Sequence, residues 1–501
     1  MNRNVLQYLE ESAARFPENC ALIDENHRYT YSELLSKSRR VGSALCKKDV
    51  FARPVGVYGE KDCASLFAFF GIVYAGGFYC FLNPELPAGR LSQITDVLSP
   101  KLIITTSAMK DEAAKIFPGF ELVTVEELMD EEICEESLRF VRVRAIDTDP
   151  LYINFTSGST GVPKGIVVAH RSVIDFIDCF TETFGINETD VIANQAPFDF
   201  DVSVKDIYSA LKTGAALAVV PRRLFSVPTE LIDFLCEHKA TVMVWAVSAL
   251  CLLSTFHALD YKIPETVRMI LFSGEVMPNK ALKNFRSHLP ETTYVNLYGP
   301  TEITCNCTYH ILSKERDYAD GIPIGKAFLN EDVFLLDEAD KRVTAPGAVG
   351  EICVRGSALA LGYYSAEKQN ELHFVQNPLN PYYPERIYRT GDLGRFDENG
   401  DLFFSGRKDF QIKYMGHRIE LEEIEREMGA IDGVERCCCI FDEKKSRLKG
   451  FYVGSIEKTA LHELMAKDLP AFMVPGIIRQ VEEMPLTKNG KIDRKKLAEL
   501  K

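Results

Sequence analysis

Fourteen cysteines are scattered along the chain without one C-x-x-C pair, and the only dense group is the run Cys437, Cys438 and Cys439. Adjacent cysteines do not readily bridge each other and metal-ligand spacing is absent, so a disulfide frame and a zinc site are both disfavoured. The thiols read as reduced, mostly buried groups of a cytoplasmic protein. Positive charge is also short: 58 Lys and Arg against 72 Asp and Glu leave a net charge of −14. That excludes binding nucleic acid or anionic membrane by bulk electrostatics. The basic tail NGKIDRKKLAELK is a local exception that reads as a solvated helix face. The N-terminal stretch MNRNVLQYLEESAARF lacks the apolar core of a secretory signal, and neither an internal repeat nor a low-complexity segment is found. One long uncharged run exists, the 19 residues 64 to 82, ASLFAFFGIVYAGGFYCFL. Its Gly76-Gly77 pair argues against a membrane span and for a helix to about Ala75, a glycine turn and a short strand FYCFL. No membrane insertion is expected.

What is present is a chain of 501 residues, longer than one hydrophobic core usually serves, so two or more folding units are expected. Short β-rich runs (KLIITT, ALAVVP, ATVMVW, VRMILFSG, TYVNLYG) alternate with helical patterns, which predicts an α/β fold with a mainly parallel sheet and helices on its faces. From about Gly347 the texture changes to shorter strands and Gly-rich turns, predicting a β-rich subdomain. A small α+β unit begins near Arg407. Ligands of open α/β sheets gather at the carboxyl ends of strands, where several of these runs carry polar residues.

The strongest chemical signal is YINFTSGSTGVPKGIVVAH, in which an apolar strand opens into Thr156, Ser157, Gly158, Ser159, Thr160 and Gly161, followed by Lys164. Glycines let backbone N–H groups turn inward, and hydroxyls with one ammonium add donors, a combination suited to wrapping a polyphosphate. It is not a Walker A loop, because Lys164 follows Pro163 and precedes Gly165 instead of sitting in Gly-Lys-Ser/Thr.

This segment resembles the signature of the adenylate-forming superfamily, which includes acyl-CoA synthetases, firefly luciferases and the adenylation domains of nonribosomal peptide synthetases. NLYGPTE (296–302), YRTGDLG (388–394), GRKDFQIKYMGHRIELEEIE from 407 and PLTKNGKIDRKKL (485–497) resemble further family motifs, in the family's order. The resemblance implies an ATP-dependent, AMP-forming ligase that activates a carboxylic acid as an acyl-adenylate and passes it to a thiol. It implies that adenine stacks on Tyr298, with Gly274, Glu275, Asn296 and Gly299 around it. Asp392 would hold the ribose hydroxyls, Arg407 would lie near sugar and phosphate, and Thr301 with Glu302 would serve Mg²⁺. Lys491 would be the catalytic lysine, placed by an Asn-Gly turn, beside the loop lysine Lys164. Residues 1–408 would form the adenylation core and 409–501 a mobile domain carrying Lys491. Asp409 would be the hinge of a domain alternation.

Phe200 and Asp201 match the Phe-Asp pair by which amino-acid-activating members hold the substrate ammonium; a carboxylate there would repel a fatty acid. The resemblance places Val202, Lys205, Val244, Leu271, Ser273, Leu297, Cys305 and Asn306 around the amino acid, suggesting a small cavity. Length and the phrases QAPFDFDVSV and FSGEVMPNK look most like stand-alone D-alanine:D-alanyl carrier protein ligases. D-alanine is then the expected substrate, and the phosphopantetheine thiol of a carrier protein arriving in trans the expected acceptor. Other amino acids (Ser, Cys, Asp), an acyl-CoA ligase and a non-enzymatic relative are the alternatives. Two departures stand out: Ser273 where those ligases have cysteine, and Lys205 where an apolar residue is usual. Lys205 either folds outward or meets a side-chain carboxylate such as aspartate's.

Overall fold

A computed structural model describes residues 2–158, 162–318, 321–442, 445–486 and 492–500. The chain divides into a large compact unit (Met1–Asn83, Leu98–Asn154, Gly165–Lys408) and a small one (Pro84–Val97, Phe155–Lys164, Asp409–Lys501).

In the large unit the apolar runs become parallel strands, because a strand covered by helices on both faces needs side chains that shun water on both. One sheet aligns Cys20–Ile23, Ala216–Val219, Val191–Asn194, Val242–Ala246, Met269–Ser273 and Thr293–Tyr298 in parallel, with antiparallel strands at either edge. Trp245, wholly buried at its centre, satisfies its indole N–H on the Ala193 carbonyl at 2.8 Å. A second sheet contains Pro54–Tyr58, Phe78–Leu82 and Pro150–Thr156, again parallel. The β-rich subdomain is a third, antiparallel sheet built on Val349–Gly356, Arg386–Phe396 and Leu402–Arg407.

The uncharged run divides where its glycines fall: helix Cys63–Tyr74 starts on the Asp62 side chain, which accepts from the Ser65 N–H, and ends before Gly76 at φ +75°. Strand Phe78–Leu82 follows. Among the described residues no helix is long and apolar enough to cross a membrane. This helix crosses Tyr31–Cys46 at glycine contacts. A Cβ on Gly71 would lie 2.2 Å from Val41 Cγ1, and one on Gly42 would lie 2.4 Å from Tyr74 Cβ.

The small unit gathers around Ile419, Leu421, Ile424, Met428, Cys439, Tyr452 and Met465. Helix Leu421–Gly429 lies beside a sheet of Val434–Asp442, Arg447–Gly454 and Ile477–Gln480. Its buried Glu423 pairs with Arg90 at 2.7 Å, which ties helix Ala88–Leu98 into this unit. All fourteen cysteines are free, including the 437–439 run on one strand.

Overpacking a closed helix crossing costs about 1–3 kcal/mol. Gly71→Ala is therefore expected to lower the thermal midpoint of the protein, measured by calorimetry, whereas Gly119→Ala, at a position with open space around it, loses only the smaller amount set by its positive φ.

Candidate active site

In the large unit Tyr298 and Arg407 converge on the carboxylate of Asp392. Strand Thr293–Tyr298 ends by placing the Tyr298 hydroxyl 2.6 Å from Asp392 Oδ2, to which it donates. The Arg407 guanidinium donates to the other oxygen, Oδ1, and Asp392 and Arg407 are register partners on antiparallel strands. Asp392 is buried, so both oxygens are fixed before any ligand arrives. Asn296 anchors its amide on the Pro323 carbonyl at 2.8 Å. Gly274, at φ +96°, and Glu275 form the half-buried bend after Met269–Ser273.

A single 3₁₀ turn, Thr301–Ile303, follows Gly299 and Pro300. Its Glu302 is buried and accepts from the Tyr363 hydroxyl at 2.6 Å. The next two residues, Thr304 and Cys305, both have left-handed backbones (φ +54° and +74°), an arrangement that costs free energy for non-glycine residues and concentrates at functional sites. A Cβ on Gly299 would fall 2.5 Å from the Asn306 Cα, so glycine is what lets the turn fold back this tightly. Among the described residues no three His, Cys, Asp or Glu side chains gather into a metal cage. The hydroxyl and carboxylate of Thr301 and Glu302 are hard oxygen donors, and they fit Mg²⁺ of the kind that takes most of its ligands from phosphate and water.

Asp201 opens helix Val202–Thr213, yet its side chain caps none of that helix's N–H groups. Burial pushes its carboxyl above the ordinary value; the Lys205 ammonium and the Thr301 hydroxyl pull the other way, and Glu302 adds to the rise. Its backbone is pinned at both ends: Asn154 accepts from the Asp201 N–H at 3.0 Å, and the Cys305 thiol donates to the Asp201 carbonyl at 3.1 Å. One turn later Lys205 is 0% exposed and donates to Asn306 Oδ1 at 2.6 Å. The outward-folding alternative for Lys205 is thereby corrected: residues i and i+4 share a helix face, and the face that buries Asp201 buries Lys205 too. Val244, Leu271, Ser273, Leu297 and Cys305 are all buried, with Val244 opposite Leu271 and Ala246 opposite Ser273 on adjacent parallel strands. Phe200 and Val202 are half-buried.

Asn154 and Tyr363 escaped the sequence reading because their partners are distant and no local pattern marks them. The same holds for Asp206, whose carboxyl is pushed up to about 7 by burial, with the Asn194 amide donating to it at 2.8 Å. An apolar helix face interrupted by Asp and Lys was the one signal available.

The phosphate-type loop belongs to the small unit. Thr156 ends its strand, and the Ser157 hydroxyl donates to the Arg418 carbonyl at 2.7 Å. At Gly158 a Cβ would meet the Val162 carbonyl oxygen at 2.1 Å. Lys164 begins the next strand, half-buried, and the Asp409 carboxylate accepts from the Gln411 N–H at 3.2 Å. Ser159, Thr160, Gly161 and Lys491 lie outside the described residues. The final helix begins only at Arg494, and Leu486 bridges to Ile492.

The model of the AMP-binding enzyme family matches residues 9–364, and that of the AMP-binding enzyme C-terminal domain matches 423–491. Tyrocidine synthase 1 of Brevibacillus parabrevis is 31% identical over 506 residues, covering 99% of this chain and 45% of that protein. The chain thus spans less than half the length of that relative. Zwittermicin A synthase ZmaJ of Bacillus cereus is 31% identical over 514 residues, covering 99% of this chain and 95% of that protein. Among solved structures, holo-PA1221, an NRPS protein containing adenylation and PCP domains bound to a vinylsulfonamide inhibitor, superposes with a TM-score of 0.83 at 27% identity, covering 99% of this chain and 84% of that one.

A buried acid whose native pKa is raised makes folding less favourable as pH climbs from its unfolded value through its native one. Asp201→Asn should therefore unfold at a higher temperature than the unsubstituted protein at pH 7. The gap should narrow as pH falls toward 4, in a pH series of thermal melts.

Proposed function

The chain belongs to the AMP-binding enzyme family of ATP-dependent, AMP-forming ligases, and we propose that it activates an amino acid as an aminoacyl-adenylate and then transfers the acyl group to the phosphopantetheine thiol of a carrier protein. The observation that carries this reading is Asp201: a buried carboxylate that takes hydrogen bonds from Thr301 and Cys305 but, among the described residues, has no cation at ion-pair distance, the place an incoming ammonium would take. The same carboxylate works against a fatty acid or aryl acid, whose tail would lie against it without compensation.

In this reading the Tyr298 ring receives the adenine, flanked by Gly274, Glu275, Asn296 and Gly299. Asp392, already held by Tyr298 and Arg407, accepts from the ribose hydroxyls. Residues 156–161 and Lys164 wrap the phosphates with backbone and side-chain donors. Thr301 and Glu302 would hold Mg²⁺, which would supply charge neutralisation to the phosphates. An oxygen of the substrate α-carboxylate attacks the α-phosphorus; the bond to the pyrophosphate oxygen breaks and pyrophosphate leaves. Lys491 neutralises the charge crowded at that step. Rotation about Asp409 withdraws it, and the carrier thiolate attacks the acyl carbonyl with AMP leaving. A carrier acceptor is supported by the likeness to PA1221, in which adenylation and PCP domains occur together.

Among amino acids, D-alanine is supported by the small apolar walls Val244, Leu271 and Leu297, and a side chain bearing a carboxylate by the buried ammonium of Lys205.

Amino-acid-dependent ATP–pyrophosphate exchange tests the reading directly. Exchange is expected with an amino acid and not with medium-chain fatty acids, falling at least about 100-fold in Lys491→Ala and in Asp201→Ala. Exchange with fatty acids alone, or undiminished in Lys491→Ala, would contradict it.

A further inference from the structure

We propose that Lys205 and Asn306 form the side-chain end of the amino-acid pocket and that the substrate is a dicarboxylic amino acid, its side-chain carboxylate paired with the Lys205 ammonium. This rests on the amino-acid-activating reading of Asp201 and deepens it to a substrate class.

An ammonium carries three donors, and Lys205, wholly buried, uses one on Asn306 Oδ1. Among the described residues no carboxylate lies within ion-pair distance of its Nζ, Asp201 included; burial works against its charge and lowers its pKa, while Cys305, Asp201 and Asp206 favour the charge. The Asn306 amide nitrogen, on a side chain that is also buried, makes no hydrogen bond among the described residues either. Two ammonium protons and an amide thus stand together without acceptors, in a place where unmet donors cost free energy.

Position places these donors on the helix face and loop segment that also hold Asp201. Lys205 follows Asp201 by four residues on one helix, about 6 Å farther along the axis and on the same face. The Cys305–Asn306 segment bonds to both: the Cys305 thiol donates to the Asp201 carbonyl, and Asn306 Oδ1 accepts from Lys205. Its left-handed backbone at Cys305 and the glycine-only approach at Gly299 hold it there. A substrate whose ammonium sits at Asp201 would turn its side chain along this same helix face toward Lys205, one turn on.

Charge points the same way. The substrate ammonium takes up the Asp201 charge, and adenylation removes the charge of the α-carboxylate. With an aliphatic side chain, Lys205 would remain a buried cation facing one amide; with a side-chain carboxylate both ion pairs close. Selection then follows from an uncompensated charge in every neutral competitor.

The experiment is ATP–pyrophosphate exchange by the intact protein with L- and D-Asp, L- and D-Glu, Asn, Gln, D-Ala and L-Ala, repeated with Lys205→Met and Asn306→Ala. In the unsubstituted enzyme an acidic amino acid should exceed its own amide in kcat/KM by at least about 10-fold. Lys205→Met should lose that acid by about 100-fold or more and turn preference toward the amide. Exchange with the amide reports that the variant is folded; should it not fold, the unsubstituted ranking and Asn306→Ala, with a smaller loss confined to the acid, carry the test. Alanine leading in the unsubstituted enzyme, or an unchanged ranking in Lys205→Met, would overturn the dicarboxylic substrate and leave amino-acid activation standing. Exchange with no amino acid at all would overturn both.

Discussion

A carboxylate shut into a protein interior is stable as a charge only when a cation comes to it, and the large unit is arranged around that constraint at Asp201. The helix that Asp201 opens gives it no capping bond, Asn154 and Cys305 occupy its backbone groups, and Lys205 stays beyond ion-pair distance. The side chain takes hydrogen bonds from the Thr301 hydroxyl and the Cys305 backbone but, among the described residues, has no cation at ion-pair distance. Holding it so requires a rigid surround, which the strained turn at Thr304 and Cys305, the close approach at Gly299 and the Tyr363–Glu302 bond provide. Strain in one turn is small against a core that runs continuously from these residues into both parallel sheets.

The nucleotide side follows the opposite logic. Asp392 has both oxygens engaged, by Tyr298 and Arg407, before any ligand is present. Orientation of this kind would lower the entropic cost of binding the ribose proposed for this site, and it anchors the Tyr298 hydroxyl at the same time. In the proposed function one half of the site is held in place beforehand and positions, while the other lacks a paired cation and selects. The short Thr301–Ile303 turn lies between them, with Thr301 near Asp201 and Glu302 tied through Tyr363 to an edge strand of the second sheet.

Much of this was legible in the sequence because the physics is local. Runs such as VRMILFSG can be little else than strands buried on both faces, and the Gly76-Gly77 pair dictates where an apolar helix stops. The residues 152–170 and 296–302 carry their chemistry in consecutive positions, so their recognition needs no fold. Lys205 was legible only in part: the i+4 spacing from Asp201 puts the two on one face, but whether that face meets solvent or core depends on Asn306, far later in the chain. Asn154 and Tyr363 were invisible for the same reason. So was the membership of Pro84–Val97 in the small unit, which is fixed by the Arg90–Glu423 pair between residues 333 apart.

The central claim is that Asp201 awaits an ammonium while Tyr298 and Asp392 await a nucleoside. The most direct measurement is a crystal structure of the protein with a non-hydrolysable aminoacyl-sulfamoyl adenosine. The account predicts the ligand's ammonium within about 3 Å of the Asp201 carboxylate, its ribose hydroxyls on Asp392 and its adenine against the Tyr298 ring. An ammonium bound away from Asp201, or an adenosine seated elsewhere than Tyr298 and Asp392, would contradict it.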